Sequence, residues 1–437
     1  MKRFAYISLI HWKNDAYRKP LVIQGARQVG KTHTIKHFGK EEYEQCIYLN
    51  FEEDPELEKL FNGNLSPKNI LKNISLYFGK NIKPKTTLLF FDEIQIVPKA
   101  LTSLKYFHEQ APEYHIISAG SLLGVSVGKQ SSFPVGKVNF LTMNPLSFGE
   151  FLLALGETLL ADTIKDLDKV KSLPSIVHHK LLEQYKLYLF LGGMPEVLAK
   201  YIKNNDIVQA REIQKEIIKA YQQDFSKYTT ATQAVKTSEV WNSIPFQLAK
   251  ENKKFKYGDV QKKARSTTYE LTIEWLKKAG LIHLAYQVST PKLPLPGYSD
   301  NSKFKVYMVD TGLLGAMLNV KSDIILNPDR LFSEYNGAFI ENFVSSQFIA
   351  FGEEQLFYWT SGRMAEVDFL IAKGNKIHAI EVKSGTNRNI KSLRSYENKY
   401  HPDLIYRLSQ REYHQTGNFI NVPLYAIEGF IKYLNEL

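Results

Sequence analysis

Two sets of residues in this 437-residue chain have types and spacing that could do chemistry, and they lie far apart. The first is Gly25-Ala-Arg-Gln-Val-Gly-Lys31-Thr32, which fits G-x-x-x-x-G-K-[ST], a loop whose backbone N–H groups wrap nucleotide phosphates. Glycine at 25 and 30 allows backbone angles and close approach that a Cβ would block. Lys31 would reach the β- and γ-phosphates, Thr32 would hold Mg²⁺ through its hydroxyl, and the N-terminus of the next helix adds a favourable field. The expected nucleotide-binding set is Gly25, Ala26, Arg27, Gln28, Val29, Gly30, Lys31, Thr32 and His33. An apolar run ending in Asp92-Glu93 supplies the acids such a loop needs. Asp92 would orient the Mg²⁺ shell and Glu93 would polarise an attacking water as general base. Ser121, with Ser118 as runner-up, would sense the γ-phosphate; a serine closing an ordinary turn is the plainer alternative. On these residues alone the nucleotide is ATP or GTP. The second set is Asp368, Glu381 and Lys383, with Glu341 upstream.

These residues need elements to hold them. Residues 21–23 read as a short buried strand entering the loop and 34–38 as the helix leaving it. Residues 47–51, 87–93 and 115–121 read as further strands, giving a mostly parallel sheet with crossover helices through about residue 145. Residues 148–160, 175–191 and 208–221 turn helical, broken by Gly192-Gly193 and Pro195. Residues 234–310 read as a helix-turn-helix with a hairpin wing. There Lys262, Lys263 and Arg265 would meet phosphates, with Thr267, Thr268 and Tyr269 at a DNA groove. A spacer between proteins is the rival reading of that segment. Near the C-terminus, a helix over 331–351 carries Glu341 beside an apolar face, and a hairpin turns around 372–375. Period-two alternation places Glu366, Asp368 and Leu370 on one face of the first hairpin strand, and Glu381 and Lys383 on one face of its partner.

Several motifs together resemble a family of AAA+-type ATPases widespread in bacteria and archaea: the phosphate loop, Phe91-Asp-Glu-Ile-Gln95, Ala119-Gly-Ser-Leu-Leu-Gly124 and Asn144-Pro-Leu-Ser-Phe-Gly-Glu-Phe151. Members are similar to the ATPase modules of signal-transduction NTPases and carry an uncharacterised C-terminal region. Leu191-Gly-Gly-Met-Pro-Glu196, Gln223-Asp-Phe-Ser-Lys-Tyr228 and Ile380-Glu-Val-Lys-Ser-Gly385 resemble the hallmarks of that region. The resemblance implies ATP as the nucleotide. The helical stretch resembles the lid of such ATPases, with Lys137 and Arg211 as the basic residues to ask about as charge sensors. Acid, then acid-x-lysine, on paired strands resembles the PD-(D/E)XK nuclease core, and Glu341 matches the extra acid of that pattern. In that reading Asp368 and Glu381, with Glu341, hold Mg²⁺ in an oxygen shell, and Lys383 orients the water or neutralises a developing oxyanion. An inactive nuclease-like fold that binds nucleic acid or protein is the rival. Arg388, Lys391, Arg394 and Lys399 fit a phosphate-facing helix or, equally, a solvated one.

The expected architecture is α/β: a P-loop AAA+-type parallel sheet over 1–150, a helical lid over 151–230, a winged helix over 231–325 and an α/β PD-(D/E)XK-like domain over 326–437. Hydrophobic residues at 44% are ample for such cores, and the single cysteine, Cys46, rules out an intrachain disulfide framework. The formal charge of +11 admits a polyanionic partner without requiring one. No run approaches the roughly 20 apolar residues that span a bilayer. The start, Met1-Lys2-Arg3 and an apolar stretch, lacks a small-residue cleavage site and reads as a helix packed on the ATPase core. A cytoplasmic protein using ATP and Mg²⁺ follows. Its expected partner is DNA or, alternatively, a protein or a second copy of the chain, with no membrane.

Overall fold

The computed structural model of the chain describes residues 1–120, 134, 136–228, 230–250, 253–320, 336–362, 365–384 and 390–437. Residues 2–144 with 278–280 form one compact unit, and 145–277 with 281–437 form the other.

The first unit is built on strands β1 (Leu21–Gln24), β2 (Gln45–Asn50), β3 (Thr87–Asp92), β4 (His115–Ala119) and β5 (Asn139–Thr142). They are ordered β2-β3-β4-β1-β5, and every pairing is parallel. Parallel neighbours require crossovers, which the helices Lys31–Glu42, Pro67–Phe78 and Pro98–Gln110 supply. All six residues of β3 are buried, as an apolar strand covered on both faces should be. Strand β4 lies between β1 and β3, so the phosphate-loop strand and the strand ending in Asp92 are not neighbours. The helix Ala5–Asn14 buries Leu9 and Trp12. Trp12 donates its indole N–H to the Lys19 carbonyl at 2.7 Å and sets its ring edge-on to His115. The basic, apolar start is therefore a packed helix.

The second unit centres on β6 (Ile282–Val288), β7 (Ser299–Met308), β8 (Leu356–Thr360), β9 (Glu366–Lys373), β10 (Lys376–Lys383), β11 (Ile405–Ser409), β12 (His414–Thr416) and β13 (Phe419–Pro423). These form one mixed sheet in the order β12-β13-β11-β10-β9-β8-β6-β7. The β6–β7 hairpin follows the helices Ala231–Leu248, Tyr257–Val260 and Ser266–Lys278, as a wing would. It does not stand free, because β6 also pairs in parallel with β8 and makes the hairpin one edge of the large sheet.

The helices expected as a lid belong to this second unit. Phe148, Tyr185 and Tyr188 converge on Phe343 of the helix Asn336–Ala350, with Tyr185 at 4.9 Å between ring centroids. The Gly192-Gly193 break is likewise fixed by a partner within the unit. Gly193 N–H donates to the Asp310 carboxylate at 2.6 Å, and a Cβ at Gly192 would lie 2.2 Å from the same group. Among the described residues, no helix is long and apolar enough to cross a membrane.

Candidate nucleotide site and the acidic centre of the second unit

The loop between β1 and the helix Lys31–Glu42 has the backbone its glycines permit. Gly25 has φ 149°, and an added Cβ would lie 2.1 Å from the Met143 carbonyl oxygen. Gly30, at φ 92°, caps the helix in the left-handed region, where a Cβ is costly. Arg3 anchors the loop from outside, its guanidinium donating to the Val29 carbonyl at 2.7 Å and to the Asn144 carbonyl at 2.6 Å. Lys31 is 9% exposed and donates to the carbonyls of Gly25 at 2.9 Å and Ala26 at 2.8 Å. Burial drives its ammonium down to about pKa 8, opposed by the charges of Glu93 and Asp92. Thr32 donates its hydroxyl to Asp92 at 2.8 Å, and Tyr48 donates to the same carboxylate oxygen at 3.0 Å. Glu93 follows directly in the left-handed region at φ 52°, half-buried, its carboxylate held by the Gln95 amide.

A nucleotide phosphate fits this set. The loop backbone packs too closely on Met143 for any Cβ at Gly25, and a buried ammonium turns inward on two carbonyls. Mg²⁺ fits the hard oxygens of Thr32 and Asp92, which already sit at hydrogen-bond distance beside that ammonium.

Of the other residues expected at this site, Ser118, Lys137 and Arg211 have other partners. Ser121 lies outside the described residues. Ser118 is buried and donates to the Leu21 carbonyl at 3.2 Å, so its hydroxyl ties β4 to β1 instead of facing a phosphate. Lys137 pairs with Glu109 at 3.0 Å. Arg211 is buried in the second unit, bonded to the Gly312 carbonyl and Gln214 and stacked on Phe190. Its guanidinium serves packing there, and burial brings its pKa down to about 10.

Residues 17–152 match a sequence family described as AAA domain. This segment is an AAA domain. Two further matches cover the second unit, both to domains of unknown function: DUF8612 over residues 182–324 and DUF4143 over 336–427. No curated protein matches the chain. Among solved structures the chain is similar to a Walker-type ATPase of Pyrococcus abyssi, at 14% identity and TM-score 0.46, covering 72% of this chain and 95% of that one. It is also similar to the Aeropyrum pernix Orc1 protein solved in complex with DNA, at 11% identity and TM-score 0.30, covering 74% and 92%. A third similarity is to a signal transduction ATPase with a tetratricopeptide repeat sensor from Pyrococcus horikoshii, at 14% identity and TM-score 0.29, covering 81% and 48%. The parallel sheet and phosphate-loop geometry, not these partial likenesses, define the AAA domain.

In the second unit the expected acids gather differently from a metal shell. Where β8 meets β9 the register shifts: Phe357 faces Leu370, and Trp359 faces Val367. Two residues, Asp368 and Phe369, thus oppose the single Tyr358, a β-bulge that breaks period-two alternation. Leu370 and Val367 join one apolar cluster with Trp359 and Ala379. Asp368 turns instead to Lys305 of β7 at 3.5 Å, while Phe369 meets Tyr307 and Phe348. Of the three residues expected on one face, Glu366 and Asp368 both reach Lys305, while Leu370, beyond the bulge, turns to the apolar cluster.

Lys305 is the centre of the cluster. It is 1% exposed and bridges Glu366 at 2.5 Å, Glu341 at 3.4 Å and Asp368 at 3.5 Å. Lys253 also pairs with Glu341, and Tyr307 donates to it at 3.0 Å. Burial disfavours the Lys305 charge, but Glu341, Glu366 and Asp368 outweigh it and hold the ammonium protonated. Burial also works against Glu341, and the two lysines overcome it and bring that carboxyl down to about pKa 2. Asp368 moves the other way, up to about 7, through burial and the neighbouring Glu341 charge. Glu381 pairs with Lys383 at 2.5 Å, and its other oxygen is buried without a partner. Among the described residues, no three His, Cys, Asp or Glu side chains converge as a metal site. The expected shell of Glu341, Asp368 and Glu381 is thus replaced by carboxylates gathered on an ammonium.

The groove residues expected on the helix Ser266–Lys278 divide. Lys262, Lys263, Arg265, Thr267 and Thr268 are exposed. Tyr269 is 1% exposed, with its hydroxyl on Glu239 at 2.6 Å, so it belongs to the core. Arg388 lies outside the described residues. Arg394 pairs with Glu397, and Lys399 lies over the Tyr400 ring. Sequence reading missed Lys305, Lys253 and Tyr48. The signal for Lys305 was its shared parity with Tyr307 in an otherwise apolar strand end.

Proposed function

We propose that the AAA domain binds and hydrolyses Mg²⁺-ATP and that its nucleotide state switches a second unit that binds a partner without cutting it. The convergence of Lys31, Thr32 and Asp92 at one loop carries the first half. Lys31 leaves its two carbonyls to meet the β- and γ-phosphates, and the loop N–H groups take the remaining oxygens. Thr32 and Asp92 would hold the metal, which would supply charge stabilisation for the transferred phosphoryl group. Glu93 orients and deprotonates the attacking water. Lys31→Ala is expected to lower ATP affinity at least tenfold in a direct titration; unchanged affinity would sink this assignment.

Lys305 carries the second half. An ammonium buried among Glu341, Glu366 and Asp368 takes the place that a hydrolytic cation needs. The full chain is therefore expected to cut neither DNA nor RNA in Mg²⁺ or Mn²⁺. Cleavage that disappears in Glu381→Ala would restore the nuclease reading. DNA as the partner is a second reading, supported by exposed Lys262, Lys263 and Arg265 just before a helix N-terminus. In that reading, Lys262→Glu with Lys263→Glu weakens duplex binding and flattens its salt dependence. A protein partner is indicated if the full chain binds no DNA in low salt.

A further inference from the structure

A cleft of about 800 Å³ opens between the helix Ser175–Leu191 and the chain around β11, β12 and β13. Its lining carries two guanidinium groups, Arg407 and Arg411, against the single acid Glu412, and three histidines, of which burial holds His178 toward its neutral form. Arg407 is 4% exposed, and its Nε donates to Asn421 at 2.8 Å. Arg411 sits half-buried beside it, and among the described residues its guanidinium has no hydrogen-bond or ion-pair partner. The adjacent Gln410 presents a buried side-chain N–H₂ with no acceptor. Glu412 makes no ion pair with Arg411; it lies exposed, with its carboxylate accepting from the Ser175 hydroxyl at 2.8 Å. Burial and then the Arg411 charge lower the Arg407 pKa, with only Glu381 working the other way.

A buried donor without an acceptor costs stability, and so do two like charges facing one cleft. An anion with several acceptor oxygens removes both penalties, and guanidinium groups match the tetrahedral oxygens of a phosphoryl group. The cleft is of the size that encloses a small organic ligand and exceeds what a bare phosphate fills. We infer that this cleft is a second anion site, separate from the phosphate loop, which takes a phosphoryl group carried on a nucleotide-sized molecule through Arg411, Arg407 and Gln410. The phosphoryl group could arrive on a free nucleotide or on the 5′ end of a nucleic-acid strand.

The test uses the full chain carrying Lys31→Ala, so that the phosphate loop is weakened in every arm. Calorimetric titration with AMP is expected to saturate, with adenosine at least tenfold weaker. Adding Arg411→Ala is expected to lower AMP affinity at least tenfold without lowering the thermal midpoint, since Arg411 has no partner to lose and its charge opposes that of Arg407. Gln410→Leu supplies a second variant with a smaller loss in the same direction. An oligonucleotide with and without a 5′-phosphate separates the sources: tighter binding of the phosphorylated strand, lost in Arg411→Ala, assigns the strand end, and AMP binding alone assigns a free nucleotide. Equal affinity for AMP and adenosine, or AMP and oligonucleotide binding indifferent to Arg411→Ala, overturns the inference.

Discussion

Replacing Lys305 by methionine keeps the length of the side chain and deletes one charge, which makes Lys305→Met a direct test of the acidic centre. In the wild type the ammonium is 1% exposed and touches three carboxylates. Removing one partner of a buried charge pair costs about 3–5 kcal/mol, because the remaining charge is left without compensation. The expected loss sits toward the lower end of that range. Glu341 keeps Lys253 and the Tyr307 hydroxyl, and Glu366 is already part-exposed to water. Asp368 bears most of the cost. Its carboxyl is raised to about pKa 7 even with Lys305 present, so it contributes stability below its unfolded value that is lost as pH rises through about 7. Without the lysine it rises further, and the variant should lose more at pH 8.5 than at pH 5.5. Thermal unfolding followed by tryptophan fluorescence, with Trp359 as the nearby reporter, should show a midpoint lower by about 5–8 °C at pH 8. Lys376→Met removes a largely exposed pair with Asp403 at 3.0 Å and provides the control, with a loss of about 1 kcal/mol or less. A Lys305→Met loss no larger than that control, or one independent of pH, would refute the buried-ammonium account.

Three further outcomes follow. Gly25→Ala places a Cβ 2.1 Å from the Met143 carbonyl oxygen, so ATP affinity should fall at least tenfold while the second unit unfolds at its usual temperature. Lys31, lowered by burial to about pKa 8, must be protonated to meet phosphates; calorimetry in buffers of different ionisation enthalpy should therefore reveal proton uptake on ATP binding near pH 8.5 and little at pH 6.5. Asp310 is raised by burial to about pKa 6 while accepting from Gly193 and Leu313, so its contribution to stability is lost as pH rises through about 6, and Asp310→Asn should flatten that part of the stability profile.

What the sequence made legible was what lies close together in it. The phosphate loop is eight consecutive residues, and both glycines take the φ values that its spacing requires. Asp92-Glu93 ends an apolar run that forms the buried strand β3, and Asp92 accepts from the Thr32 hydroxyl. The acidic centre was less legible because it is assembled across the sheet. Lys305 comes from a strand about sixty residues upstream of Asp368, and no local pattern ties the two. The bulge at Asp368–Phe369 is set by pairing with β8, so period-two counting along β9 alone gives the wrong face for Leu370 beyond it. Arg211, expected as a charge sensor, and Tyr269, expected at a DNA groove, are both drawn inward by tertiary partners: Gly312 and Gln214 for the first, Glu239 for the second. The hairpin expected as a wing forms as β6 and β7, with its return strand starting at Ser299 instead of Lys305, and its other neighbour, β8, lies some seventy residues on.

The central claim is that the AAA domain turns over ATP with Glu93 as the base beside a metal held at Thr32 and Asp92. Its most direct test is steady-state ATP turnover in Mg²⁺ by the full chain and by Glu93→Gln, with ATP affinity measured on the same samples. Retained affinity with turnover reduced by about 100-fold or more is the predicted result. Equal turnover in the two proteins, or ATP hydrolysis that survives Lys31→Ala, would contradict it.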